Sequence, residues 1–131
     1  MITASINNSL DKHQVLLTTG NNAKKLHVAP KENGYGSSVN GAEFLLTGVA
    51  TCFCNDIYRE AVKRGISVSS VSVRAEADFD TEDGTATQVT YHAEVVADAS
   101  AEVIHELISY VDAIAEVHNT LRKGIPVTYV A

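Results

Sequence analysis

The chain has 131 residues, enough for one domain with a buried core and too few for two. Hydrophobic residues make up 45% and charged residues 20%, ordinary globular values, and a formal charge of −6 argues against nucleic acid or an anionic membrane surface as the main partner. The longest apolar stretch, Phe44 to Cys54, is well short of the roughly 20 residues that span a bilayer, and no basic start followed by an apolar run marks a signal peptide.

In chain order, the first ten residues, with Asn7, Asn8 and Ser9, read as frayed or weakly ordered. Val15 to Thr19 and Lys25 to Val28 read as two short strands around the turn residues Gly20-Asn21-Asn22. Pro30 to Asn40 is a loop with Gly34, Gly36, Ser37 and Ser38. It lacks a preceding strand and a phosphate-loop lysine, so it reads as the rim of a pocket and not as a nucleotide cradle.

A helix from about Gly41 to Arg64 comes next. Asn40 can cap it, with Glu43 at capping-box spacing. From Phe44 to Cys54 it is apolar or small on nearly every face, which predicts burial all round. Its second half is amphipathic, with Asn55, Asp56, Arg59, Glu60, Lys63 and Arg64 set against Ile57, Ala61 and Val62. Lys63 and Arg64 suit the negative end of the helix, and Gly65 is its stop.

Two alternating strands follow. Val71, Val73, Ala75, Ala77 and Phe79 oppose Ser72, Arg74, Glu76 and Asp78; after Asp83-Gly84, Val89, Tyr91, Ala93 and Val95 oppose Thr90, His92 and Glu94. An antiparallel hairpin with one wet face fits both. A second helix runs from a cap at Ser100 through Val103, Leu107, Tyr110, Ile114, Val117 and Leu121 to Gly124. Ile125 to Val130 can add an edge strand, where Pro126 is tolerated.

These elements predict an α+β fold, a single domain over 1–131, with a long buried central helix. So small a domain cannot cover that helix on all sides. The simplest cover is a second copy, so a homodimer with its central helices packed together is expected.

Cys52 and Cys54 lie two apart on the helix, about 200° apart around its axis, so they cannot form a relaxed disulfide or easily share a metal. Without an export signal they point to free thiols in a reducing compartment, the cytoplasm. Either can also be plain packing, the expected role of Cys54. Glu43 is an active-site carboxylate if a one-residue shift at the helix start is tolerated, or simply half of the capping box. His13, His27, His92, His105 and His118 show no ligand spacing, so neither a metal nor another cofactor is expected. Phe53, Tyr91 and Tyr110 read as core or dimer contacts.

The run from Ser37 to Phe53 resembles the active-site helix of the OsmC/Ohr family, the osmotically inducible and organic hydroperoxide resistance proteins. That family has a Ser/Thr-rich loop, Asn-Pro-Glu, a Leu/Ala-rich stretch and Ala-(Ala/Ser)-Cys-Phe, and the Asn40 to Cys52 spacing matches without a gap. The likeness continues through Arg64-Gly65-Ile66, Glu102 to Leu107, Val117, Asn119, Leu121 and the Gly-Ile-Pro-Val ending, covering roughly Gly34 to Val127. It implies an intertwined homodimer and thiol-dependent peroxide reduction: a thiolate attacks the peroxide, becomes a sulfenic acid, and a second cysteine resolves it. Cys52 falls on the attacking position.

Several family residues are replaced. The second cysteine, usually in Cys-Pro, aligns with Ala115-Glu116; the helix proline is Gly41; the helix glutamate is Ala42, with Glu43 one residue on. The first arginine in the chain is Arg59, so no N-terminal arginine holds the thiolate, and Lys24 and Lys25 do not replace a bidentate clamp. Three readings of Cys52 follow: a peroxidatic thiol resolved by an external thiol reductant, part of a pocket for an organic hydroperoxide or other small apolar ligand that has lost the usual chemistry, or core. His118 and Asn119, beside the missing cysteine's position, can line that cavity or a plain helix face.

Overall fold

In the computed structural model, which describes residues 1–131, the chain opens with an antiparallel meander. Strands β1 (Ile2–Ser9), β2 (Lys12–Thr19) and β3 (Asn22–Leu26) pair in the order β1-β2-β3. Two-residue turns join them, Leu10-Asp11 and Gly20-Asn21, with Asp11 at φ 57 and Gly20 at φ 56.

The N-terminus is therefore a full strand, where the sequence predicts a frayed end. The physical reason is that every β1 side chain is exposed. Ile2, Ala4 and Ile6 alternate with Thr3, Ser5 and Asn7, but neither set is buried, so the backbone ladder and not a core face holds the strand. Asn8 adds a clamp on the following loop, its amide donating to the Gly36 carbonyl and its oxygen accepting from the Gly36 N–H, both at 3.0 Å. The Asp11 N–H donates to the Gly34 carbonyl at 2.7 Å. Gly34 has φ 88, and a Cβ there would lie 2.5 Å from Asp11 Oδ1, so only glycine fits without a shift.

These residues form the first of two structural units, Met1–Phe44; the second is Leu45–Ala131. Helix α1 (Gly41–Lys63) begins at the end of the first. The Glu43 N–H donates to Asn40 Oδ1 at 2.8 Å and the Asn40 N–H donates to Glu43 Oε1 at 3.0 Å, the reciprocal capping box the spacing predicts. At the other end the Ile66 N–H donates to Ala61 O and the Gly65 N–H to Val62 O, a Schellman closure with Gly65 at φ 68.

The second unit packs α1 and helix α2 (Ala101–Ile114) against the hairpin of β4 (Val68–Phe79) and β5 (Ala86–Ala97). Burial alternates along both strands, as period two requires, and the register pairs Arg74 with His92 and Val73 with Ala93. Phe53, Ile57, Ala61, Leu107 and Val111 form the core, with Val71, Val73, Tyr91, Ala93 and Val95 of the sheet packed on it. Ser100 caps α2, accepting from the Val103 N–H.

Three further sequence expectations differ from this structure. The second helix is broken: Ala115 adopts φ −60, ψ 118, and a separate helix α3 (Glu116–Lys123) follows. No glycine or proline marks the break, so the apolar periodicity runs across it. The α2 carbonyls it frees are taken by α3 side chains, with Asn119 Nδ2 donating to Ala113 O at 3.0 Å and Arg122 Nη1 to Asp112 O at 2.9 Å. Ile125–Val130 is not a strand in this chain.

The third difference lies in α1. Its buried residues are Val49, Phe53, Asp56, Ile57, Glu60 and Ala61, a stripe and not the whole circumference. Leu45, Thr47 and Thr51 are open, and in the second half the carboxylates Asp56 and Glu60 are buried while Val62 is 77% exposed.

Candidate functional site

Cys52 is half-buried and its thiol is free, as is that of Cys54. One turn further along α1, Asp56 places Oδ2 at 4.0 Å from Cys52 Sγ, within reach of the thiol as donor. The spacing of four residues produces this pairing, because such residues lie one above the other on a helix face. Asp56 is itself held by Arg59, whose Nη1 is 2.6 Å from Oδ1. Arg59 Nε also reaches Glu60 Oε1 at 3.3 Å, and Lys63 Nζ reaches the same oxygen at 2.9 Å. Hydrogen bonding to Asp56 raises the Arg59 pKa, and hydrogen bonding from Lys63 lowers that of Glu60. Two buried carboxylates are thus matched by two exposed cations on one helix.

A carboxylate beside a sulfur opposes negative charge on it, and a guanidinium on that carboxylate offsets the opposition. Arg59 is therefore the cation nearest in connection to Cys52, and the sequence reading missed it. The i, i+4, i+7 spacing of Cys52, Asp56 and Arg59 carried the signal. Glu43, nine residues before Cys52 on the same helix, is engaged with Asn40 in the cap.

On the side of α1 that carries Val49 the second unit opens a cleft of about 460 Å³, walled by Leu45, Val49, Val89 and Leu121 and reached by Tyr91, His118 and Arg122. Cys52 stands three residues beyond Val49 and is outside the lining. His118 is only 5% exposed. It packs edge-to-face with Tyr91 at 4.7 Å and tilted to Phe53 at 6.0 Å between ring centroids. Neither of its ring nitrogens has a hydrogen-bond partner within the chain. Leaving a buried polar atom unsatisfied costs about 1–3 kcal/mol. Burial first, and the Arg122 charge second, lower the His118 pKa, while Asp112 and Asp56 pull the other way. Burial thus favours the neutral ring.

Beside it the Tyr91 hydroxyl donates to Asp112 Oδ1, and Arg122 Nη2 approaches the same oxygen at 2.7 Å. Arg122 Nη1 also donates to Asn119 Oδ1 at 2.9 Å. The Tyr91 bond and Arg122 hold the Asp112 pKa below the usual carboxylate value; burial and the bond to Asp112 push that of Tyr91 up. The Arg122 charge is thus met by Asp112. Of His118 and Asn119, His118 lines the cleft and Asn119 is exposed and engaged in the α2–α3 junction. Ala115, at the break between α2 and α3, is fully buried. No group of three or more His, Cys, Asp and Glu side chains converges as a metal site, and no helix is long and apolar enough to cross a membrane.

A three-stranded meander, a long thiol-bearing helix and a hairpin backed by further helices define an α+β protein of known architecture. The OsmC-like protein family model matches residues 34–130, and the chain belongs to that family. Solved structures with the same fold include an OsmC-like protein from Mycoplasma pneumoniae, 20% identical over 93% of this chain and 89% of that one, with a TM-score of 0.65. An organic hydroperoxide resistance protein OsmC from Legionella pneumophila is 21% identical over 93% and 89%, with a TM-score of 0.61. An organic hydroperoxide resistance protein from Elizabethkingia anophelis is 19% identical over 95% and 90%, with a TM-score of 0.63. No curated protein matches the chain in sequence.

Proposed function

We propose that this OsmC-like protein reduces organic hydroperoxides through Cys52 and depends on an external thiol to restore it. The observation that carries this reading is Cys52 itself: a free, half-buried thiol on the central helix, one turn from an Asp56–Arg59 pair; the resemblance to the family gives it the attacking role. The thiolate sulfur attacks the distal peroxide oxygen, the O–O bond breaks, and the alkoxide leaves and takes a proton as the alcohol. Sulfur, oxidised by two electrons, is left as sulfenic acid. Ala115 stands where the family's second cysteine would be, so an external thiol condenses with the sulfenic acid, releasing water and forming a mixed disulfide. A second external thiol then frees Cys52 and leaves as the external disulfide.

The working unit is a homodimer. Support comes from α1, which leaves Tyr58 and Val62 open at 41% and 77% exposure. Further support comes from Val127, Tyr129 and Val130, exposed at 83–98%; a second copy is the simplest cover. The cytoplasm, with its thiol pool, is the compartment in which such a cycle runs.

A second reading, a dimeric small-molecule binding protein without peroxidase chemistry, is favoured by the cleft, whose lining does not include Cys52. Intact-mass and peptide mass spectrometry after a stoichiometric dose of an organic hydroperoxide separates the two. The first requires sulfenic acid, or its mixed disulfide with added thiol, on Cys52 and none in Cys52→Ser; unmodified Cys52 would leave the second.

A further inference from the structure

We infer that α3 is an acid-released flap: protonation of His118 frees Glu116–Lys123 from the rest of the second unit and removes one wall of the cleft. The inference goes beyond the thiol chemistry and does not depend on it.

Ala115 sets the hinge. Its extended backbone, φ −60 and ψ 118, ends α2 and starts α3, so α3 can swing without unwinding α2. Beyond the hinge α3 is attached in two ways. Polar side chains tie it to the end of α2: Asn119 donates to Ala113 O, and Arg122 donates to Asp112 O and Oδ1. The Arg122 and Asp112 side chains are 48% and 44% exposed, and an ion pair so open to water holds weakly. Packing supplies the rest, and His118 is the single buried residue of α3. Its ring lies against Tyr91 and Phe53, while Val117 is half-buried and Leu121 is 41% exposed.

The side chain that docks α3 is also the one whose state acid changes. Protonation gives the imidazole a charge and a second N–H. Both ring nitrogens are buried without a partner in the chain, so the imidazolium has neither water nor an acceptor. The charged groups facing the ring do not make up for this. Asp56 from α1 and Asp112 from α2 attract the imidazolium, Arg122 from α3 repels it, and Tyr91 of β5 gives its hydroxyl to Asp112. Each carboxylate is already paired, Asp56 with Arg59 and Asp112 with Arg122, so the field at the ring is close to balanced and burial decides. The proton binds better once α3 is off, so docking is strongest at neutral pH and weakens as pH falls below the ordinary histidine value of 6.5. His118, Leu121 and Arg122 all line the cleft, so release of α3 opens it along that side.

An eight-residue helix does not survive alone in water, so release exposes its amides. Hydrogen exchange of the full chain, followed by NMR at pH 7 and pH 5.5 and corrected for intrinsic rates, reads that exposure. The inference requires protection of the α3 amides to fall by roughly three- to tenfold at the lower pH. The opening must be one that low urea barely accelerates, while core amides such as that of Ile57 respond steeply. In His118→Gln, uncharged over this range, α3 protection should change by less than about twofold. Protection unchanged by pH in the wild type, or an equal fall in His118→Gln, would overturn the flap. A urea response of α3 as steep as that of Ile57 would do the same, because the opening would then be global. Should His118→Gln fail to fold, His118→Leu takes its place, and the wild-type urea response decides by itself.

Discussion

At the residue scale the chemistry of Cys52 depends on its neighbours along one helix face. Asp56 faces the sulfur and Arg59 faces Asp56, so the two substitutions should act with opposite sign. In a Cys54→Ser background, Arg59→Met leaves the carboxylate uncompensated and should slow iodoacetamide alkylation of Cys52 by about two- to tenfold. Asp56→Asn should speed it by a similar factor. Changes of the same sign in both variants would show that the pair does not act on the sulfur. His118 makes a separate prediction. Its folded pKa lies below the ordinary 6.5, so the unfolded chain takes up the proton first as pH falls. Its contribution to stability is complete above that value and is lost below it, at up to about 1.4 kcal/mol per pH unit for one proton. Urea midpoints measured from pH 7 down to 5 should therefore decline in the wild type and decline less steeply in His118→Gln; parallel profiles would contradict the assignment. Asp112, whose pKa is held down by Tyr91, acts in a separate window, below the ordinary carboxylate value of 3.8.

At the element scale, the loop before α1 is held by the meander through Asn8 and Asp11. Gly34 and Gly20 both have positive φ, yet a Cβ at Gly34 would sit 2.5 Å from Asp11 Oδ1 and one at Gly20 meets nothing within 4 Å. Gly34→Ala should therefore cost more than Gly20→Ala, which should lose about 1 kcal/mol from backbone strain alone. Equal losses in thermal or urea unfolding would mean the close approach is relieved freely. Elements with strong periodicity were legible in the sequence: α1 from its cap to Gly65, and the β4–β5 hairpin from strict alternation. What was illegible had a weak or missing local signal, and in β1 the alternation of Ile2, Ala4 and Ile6 spans three apolar positions only. β1 pairs by backbone with every side chain outside, and the break at Ala115 carries neither glycine nor proline. Cys52 stood out by its setting. The burial of Asp56 and Glu60 did not, because each is a carboxylate whose partner cation lies a turn away. The sequence predicts His118 in the cavity of Cys52 or on a plain helix face; it lines a cleft whose walls leave Cys52 out, and its bare nitrogens depend on where Phe53 and Tyr91 pack, which is tertiary.

At the scale of the whole molecule, the core of Phe53, Ile57, Leu107 and Val111 closes one side of α1 and leaves another open. Truncating Phe53, which is fully buried between the sheet and His118, to alanine should cost about 3–5 kcal/mol and disturb the cleft with the fold. In the proposed dimer the open side of α1 is the face a second copy covers. Light scattering should return the mass of two chains, about twice 14.0 kDa, and a monomer would remove the cover assigned to Tyr58 and Val62. The central claim is that Cys52 reduces hydroperoxides and needs an outside thiol to do so repeatedly. Organic hydroperoxide consumption, followed with and without a small dithiol, tests it most directly. The account predicts a stoichiometric burst without the dithiol, sustained turnover with it, and neither in Cys52→Ser. Consumption by the wild type no faster than by Cys52→Ser, with the dithiol present, would contradict it.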